Sequence, residues 1–213
     1  MKIITIDGPA SSGKGTVAKI LAKKLGFHYL ESGVIYRALG LLAIKHKVQH
    51  DAIEKLQEII KHMNLEFIDG KIILNKKDVT DLLRDENVGL AASSVGKIPE
   101  VREDLLDFQR NFAREPGLVT DGRDMGSVVF PYADLKVFLT AKPKTRAQRR
   151  FQQLQEMGVV ANFTEILNDI VIRDEQDYKR SVAPLKHDAS YKVLDNSDLT
   201  VDLTIAQIVK WLA

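Results

Sequence analysis

The chain has no cysteine, which excludes disulfides and thiolate metal sites. No apolar stretch is long enough to cross a bilayer. The first residues lead straight into an apolar run, without the anatomy of a signal peptide. Formal charge is only +2, so bulk electrostatics give no sign of a nucleic-acid protein. The basic segments also lack an interleaved aromatic platform on which bases would stack. No internal repeat or low-complexity tract occurs. These absences point to a cytoplasmic enzyme with neither membrane nor nucleic acid as a partner.

What remains is an ordinary globular chain of 213 residues, 45% hydrophobic. That length suits one α/β domain with an insertion, or one domain plus a small satellite. Apolar segments at 2–6, 27–30, 117–120, 135–139 and 191–194 read as buried parallel strands separated by helical patterns. The expected fold is therefore α/β, a five-stranded parallel sheet flanked by helices. Residues 52–62 form an amphipathic helix. Leu65–Ile68 and Lys71–Leu74 flank Asp69-Gly70, a hairpin signal, so a small antiparallel β insertion is expected at 63–80. Helices follow at 82–95 and 98–114, the second opened by Pro99.

The most informative segment is Gly8-Pro9-Ala10-Ser11-Ser12-Gly13-Lys14-Gly15-Thr16, set between the first strand and a helical pattern. Strand, glycine-rich loop and helix together form a P-loop context, in which successive N–H groups turn toward a polyphosphate at a helix N-terminus. Lys14 adds an ammonium for the outer phosphates. The general pattern places Ser or Thr directly after the lysine to hold magnesium. Here Gly15 stands there, so Mg2+ is expected to be held mainly by the phosphates of a nucleoside triphosphate and by water.

Other candidates follow the carboxyl ends of strands, where open parallel sheets bind ligands. In Glu31-Ser32-Gly33-Val34-Ile35-Tyr36-Arg37, Ser32 is a candidate helix cap. Arg37 reads either as a phosphate contact or as a solvated helix residue. In Asp121-Gly122-Arg123-Asp124-Met125-Gly126, Arg123 offers a fork matched to phosphate oxygens. Asp121 would orient the loop, bind hydrated magnesium or steer the acceptor; a structural Arg–Asp turn is the plainer alternative. Arg146, Arg149 and Arg150 share a helical face, either solvated or part of a lid with its tip near Gly158. Arg173, Asp177 and Arg180 recur on a helix that opens with an Asn162–Glu165 capping box. Their spacing alone fits a surface salt-bridge ladder equally well. No metal-binding cluster and no nucleophile–base pair stands out, which suits phosphoryl transfer by positioning and charge stabilisation.

Gly-Lys-Gly-Thr, Ser-Gly-Val-Ile-Tyr-Arg, Ala-Ala-Ser-Ser-Val and Asp-Gly-Arg-Asp-Met-Gly occur in that order. With the later Arg-Asp-Glu-Gln-Asp-Tyr-Lys-Arg-Ser-Val-Ala-Pro-Leu, the whole chain resembles the bacterial cytidylate kinases. The resemblance implies a P-loop NTPase fold as a single domain over 1–213, with a monophosphate-binding insertion at 63–96 and a helical lid at 143–160. It implies γ-phosphoryl transfer from ATP to CMP or dCMP with magnesium, by a protein that is usually monomeric. By matching position, Ser32, Arg102 and Asp124 correspond to cytosine contacts. Ser93, Arg173 and Asp177 correspond to the group around the pentose. Arg37, Arg123 and Arg180 correspond to the grip on the monophosphate, with Tyr36 beside them. Lys14, Asp121, Arg123 and Arg180 are the expected catalytic set; residues 8–16 with Arg146, Arg149 and Arg150 are expected to bind ATP. The alternatives are a kinase for another monophosphate, UMP above all, and a nucleotide-dependent switch. Gly15 and the crowded arginines count against the switch.

Overall fold

The computed structural model describes residues 1–68 and 70–212; Asp69, half of the expected hairpin turn, lies outside them. The chain runs β1 (Lys2–Asp7), α1 (Lys14–Leu25), β2 (His28–Glu31), α2 (Ser32–Lys45) and α3 (Ile53–His62). Next come β3 (Leu65–Ile68), β4 (Lys71–Leu74), β5 (Lys77–Asp78), α4 (Glu86–Val95) and α5 (Pro99–Arg110). It closes with β6 (Gly117–Gly122), β7 (Leu135–Thr140), α6 (Pro143–Glu156), α7 (Phe163–Lys179), β8 (Tyr191–Asp195) and α8 (Val201–Lys210). Two compact units result: Met1–Leu30 with Phe112–Ala213, and Glu31–Asn111.

The first unit is built on the five-stranded parallel sheet that the apolar segments predict, in the order β2-β6-β1-β7-β8. The central strand β1 aligns Ile4 with Val119 of β6 and with Leu135 of β7. Period-two alternation sends Ile4 and Ile6 into a core with Val17 and Leu21 of α1 and Ile205 and Ile208 of α8. Thr5 and Asp7 therefore face the other side, and both are fully buried there. Glycines at Gly13 and Gly26 bound α1, and Lys23 and Lys24 sit in its last turn, where cations suit the dipole.

The second unit holds α2 to α5 and the three-stranded antiparallel sheet β3-β4-β5. Leu65 pairs with Leu74 and Ile68 with Lys71, the register expected for a hairpin closing at residues 69–70. The helix expected over 82–95 is instead a 3-10 turn at Leu82–Arg84 followed by α4. The break falls at Asp85, whose carboxylate accepts from the Asn87 N–H and caps α4. The helix expected over 98–114 ends earlier, at Arg110. Ser32 is not a cap: α2 starts directly from the end of β2, so the cap position falls on Glu31 and Ser32 becomes the buried first helical residue. Among the described residues no helix is long and apolar enough to cross a membrane.

Candidate active site

The loop between β1 and α1 is held through its carbonyls. Lys14 Nζ donates to the Pro9 carbonyl at 3.2 Å, and Arg146 Nη1 donates to that of Ala10 at 3.0 Å. The Ser12 carbonyl accepts from Arg149 Nη1 at 3.2 Å and from Asn196 Nδ2 at 3.0 Å. A trans peptide points its N–H opposite to its C=O, so these bonds turn the N–H groups of Ala10, Ser11 and Gly13 the other way. Ser11 and Gly13 adopt left-handed backbone, φ 58° and 87°, which curls the chain into a concave nest of donors. Gly13 caps α1 and has no side chain to occupy the first N–H groups of that helix. Such a loop is preorganised for an anion.

Asp121 ends β6 beside this loop. It is buried, Tyr29 Oη donates to its Oδ1 at 2.8 Å, and its Oδ2 lies 3.8 Å from where a Cβ on Gly15 would stand. Among the described residues no group of three or more His, Asp or Glu is placed to hold a metal ion.

Asp7, at the end of β1, is a second buried carboxylate. Its oxygens accept from the N–H groups of Met125 and Gly126, each at 2.8 Å, and from Tyr191 Oη at 2.9 Å. Burial outweighs these bonds and raises its pKa to about 6, with the charge of Asp124 adding to the rise. Burial and the Asp7 charge push Tyr191 upward as well, so its hydroxyl stays a donor. A carboxyl-carbon NMR titration is expected to give Asp7 a midpoint of about 6, with exposed Asp78 and Asp188 below the usual aspartate range. The folded chain holds the Asp7 proton more tightly than the unfolded chain. Its contribution to stability is therefore full below about pH 4 and is lost as pH rises through about 6. The span from 3.8 to about 6 corresponds to about 3 kcal/mol. A midpoint below 4 would contradict this.

Arg123 leaves the loop after β6 and meets α7. Its Nε donates to Asp177 Oδ2 at 2.6 Å, and Arg180 Nη1 lies 3.8 Å from Asp177 Oδ1. The side chains of Arg123 and Asp177 are only 18% and 15% exposed, so this is not a surface ladder. Burial would raise the Asp177 pKa, but Arg123, Arg180 and Arg173 hold it below the ordinary value. Arg180 sits just past the helix, as its C-cap, and donates to the Ala183 carbonyl. Arg173 is exposed on α7. Asn162 caps α7 as expected, accepting from Thr164 and Glu165 N–H groups.

The α6 trio divides. Arg146 is 2% exposed and bonded to Asp174 and to the carbonyls of Ala10 and Ala141. Arg149 is half-buried against Ser12 and Asn196, whereas Arg150 is exposed and bonds Gln153. The connection after α6 carries Gly158 at φ 72° with Val159 and Val160 exposed.

In the second unit, Arg37 donates to the Leu83 carbonyl at 2.7 Å and lies against Gly89 of α4. It is thus an anchored residue rather than a purely solvated one. Arg102 stacks over the Tyr36 ring, 5.3 Å from its centroid, and donates to the Gly96 carbonyl. Ser93 is exposed on α4.

The sequence model of the family described as Cytidylate kinase matches residues 4–213. The chain belongs to the cytidylate kinase family. It is 48% identical to the cytidylate kinase of Azotobacter vinelandii over 217 residues, covering 99% of this chain and 95% of that one. With the cytidylate kinase of Nitrosococcus oceani the identity is 45%, covering 99% and 96%. An uncharacterized protein from Eubacterium ventriosum has the same fold, with a TM-score of 0.56 at 15% identity, covering 99% of this chain and 97% of the other.

Within this cytidylate kinase fold, several residues that hold the site were not singled out by the sequence. Asp174 and Asn196 anchor the arginines that grip the phosphate loop, Tyr29 holds Asp121, and Asp7 with Tyr191 holds the Met125 turn. Two carried a signal. Asp7 is a charge ending a mostly apolar strand, and Asn196 follows the last strand at the same edge. Tyr29, Asp174 and Tyr191 are ordinary in their local context, and only their tertiary partners mark them.

Proposed function

We propose that this chain transfers the γ-phosphoryl group of ATP to CMP and dCMP, yielding the diphosphate and ADP. Besides family membership, the observation that carries this reading is a second arginine group distinct from the phosphate loop. Arg123 and Arg180 flank Asp177 on the first unit, as a donor loop plus an acceptor grip requires. Residues 8–16 hold the ATP phosphates, and Lys14 follows charge onto the transferred group. Arg146 and Arg149 serve ATP through the loop carbonyls they hold, and Arg150 contacts it directly. The acceptor phosphate oxygen is already anionic, so no strong base is needed. Mg2+ supplies charge neutralisation between donor phosphates when bound. Asp121, beside Gly15, suits an ion reached through water, consistent with the magnesium chemistry of phosphate sites.

Arg123 and Arg180 of the first unit grip the acceptor monophosphate; the family resemblance assigns the same role to Arg37 and Tyr36, each taken by itself. Ser93, Arg173 and Asp177 serve the pentose; Ser32, Arg102 and Asp124 serve the cytosine. Asp124 is 3% exposed, and its carboxylate would accept from the cytosine amine. Uracil turns a carbonyl lone pair toward it instead, a mismatch costly in a closed site. The family resemblance extends the reading to a cytoplasmic monomer.

The test is Asp124→Asn, assayed by ADP release across CMP, dCMP, UMP and AMP. The amide rotates to offer donor or acceptor, so CMP use should fall more than UMP use. Loss of one charge-assisted bond predicts a shift in discrimination of about 1.5–3 kcal/mol, roughly ten- to a hundredfold. Equal losses in kcat/KM for both nucleotides would instead leave Asp124 as a brace for Arg123. A parent chain that prefers UMP would overturn the reading altogether.

A further inference from the structure

The phosphate loop, the arginines and Asp124 leave unused the buried group behind them, Asp7 with Tyr191. Asp7 is fully buried at the end of the central strand, on the face turned away from α1. Its two oxygens accept the N–H groups of Met125 and Gly126, the two residues directly after Asp124. Those residues open a π-helical turn, Met125–Val129, in which the Asp124 carbonyl accepts from Val128 at 2.9 Å and Val129 at 3.2 Å. Asp124 is thus pinned on its carboxyl side by the turn, and the turn is pinned by Asp7.

Tyr191 completes the fixture. Its hydroxyl donates to Asp7 Oδ2 and lies against Gly126, so one side chain from β8 ties strand and turn together. Its ring packs with Phe138 and Leu185, which keeps the hydroxyl in place. The fit is close: a Cβ on Gly126 would stand 2.6 Å from Thr5 Oγ1 and 2.7 Å from Tyr191 Oη. Burial raises the Asp7 pKa, so the ionised carboxylate sits there at a cost in folding. A buried carboxylate kept at such a cost, with both oxygens turned onto Met125, Gly126 and Tyr191, calls for a role beyond stability. Arg123 has a separate support in Asp177 of α7, so the two neighbours are held from different elements.

We propose that Asp7 and Tyr191 are positioning residues for acceptor recognition, fixing the Met125–Val129 turn so that Asp124 is held where it reads the base. This rests on the assignment of Asp124 to cytosine above.

Tyr191→Phe removes the hydroxyl and keeps the ring, so it is the main test. It should raise KM for CMP about five- to tenfold, the size expected for a supporting hydrogen bond, with KM for ATP within about twofold. Amide exchange at Gly126 should quicken about tenfold, since one of the bonds ordering its acceptor is gone. Asp7→Asn sets an amide NH2 against a backbone N–H and should lower CMP-over-UMP discrimination further. If that variant does not fold, Tyr191→Phe alone decides. Unchanged KM for CMP, or equal rises in KM for CMP and ATP, would overturn the proposal. If Asp124→Asn alters discrimination while Tyr191→Phe alters neither KM nor exchange, the base assignment stands and the brace fails. If Asp124→Asn leaves discrimination intact, the base assignment fails and the proposal that rests on it falls with it.

Discussion

Lys14→Met should fold as the parent does and lose about 10²–10³ of its turnover, the usual cost of one donor aimed at developing charge. Lys14 opens α1, and its ammonium bonds the Pro9 carbonyl of the same loop. Methionine keeps a similar unbranched stem and a good helix propensity, so neither the helix nor the core behind Val17 and Leu21 is disturbed. What is lost is a mobile positive charge at the loop mouth. Because that charge matters most as the phosphoryl group moves, kcat should fall more than KM for ATP rises. A coupled ADP assay alongside a thermal melt measures both. A folded variant with near-normal turnover would remove Lys14 from the mechanism.

Arg146→Met should be the most destabilising single change among the arginines of α6 and α7. The side chain is 3% exposed and is bonded to Asp174, which is 16% exposed. Removing one member of such a pair strands the other and typically costs about 3–5 kcal/mol. Water reaches part of Asp174, which favours the lower end. At about 2–4 °C per kcal/mol for a chain of this size, Tm should fall by about 6–12 °C. The Ala10 and Ala141 carbonyls lose their donor too, so KM for ATP should rise even in the folded fraction. Pairing the change with Asp174→Met should recover most of the stability, because two apolar side chains leave no buried charge. ATP affinity should stay impaired, because the loop is still unheld. A single variant as stable as the parent would show the pair to be worth nothing.

The central strand, loop and first helix were legible because three different patterns meet there: an unbroken apolar run, glycines, then helical spacing. The hairpin β3–β4 was equally plain from alternation around residues 69–70. Asp85 was not, because apolar spacing continues on both sides of it and only its bond to the Asn87 N–H reveals a cap. Ser32 looked like a cap because cap preference assumes a turn between strand and helix, and here none intervenes. Arg146, Arg149 and Arg150 share a face by spacing alone. Their different surroundings depend on how α6 packs against α7 and the phosphate loop, which no local pattern encodes.

The order of assembly follows from where the strands fall along the chain. The second unit, Glu31–Asn111, is one uninterrupted stretch, so its contacts close short loops. The first is split around it: Lys2 of β1 lies opposite Gly117, and Ile4 opposite Leu135. During synthesis the second unit is complete before either neighbour of the central strand exists. Until then β1 has both edges unpaired, and Ile4 and Ile6 lack Val119, Leu135, Ile205 and Ile208, the core partners that come later in the chain, an interval in which a chaperone or a like strand would find it.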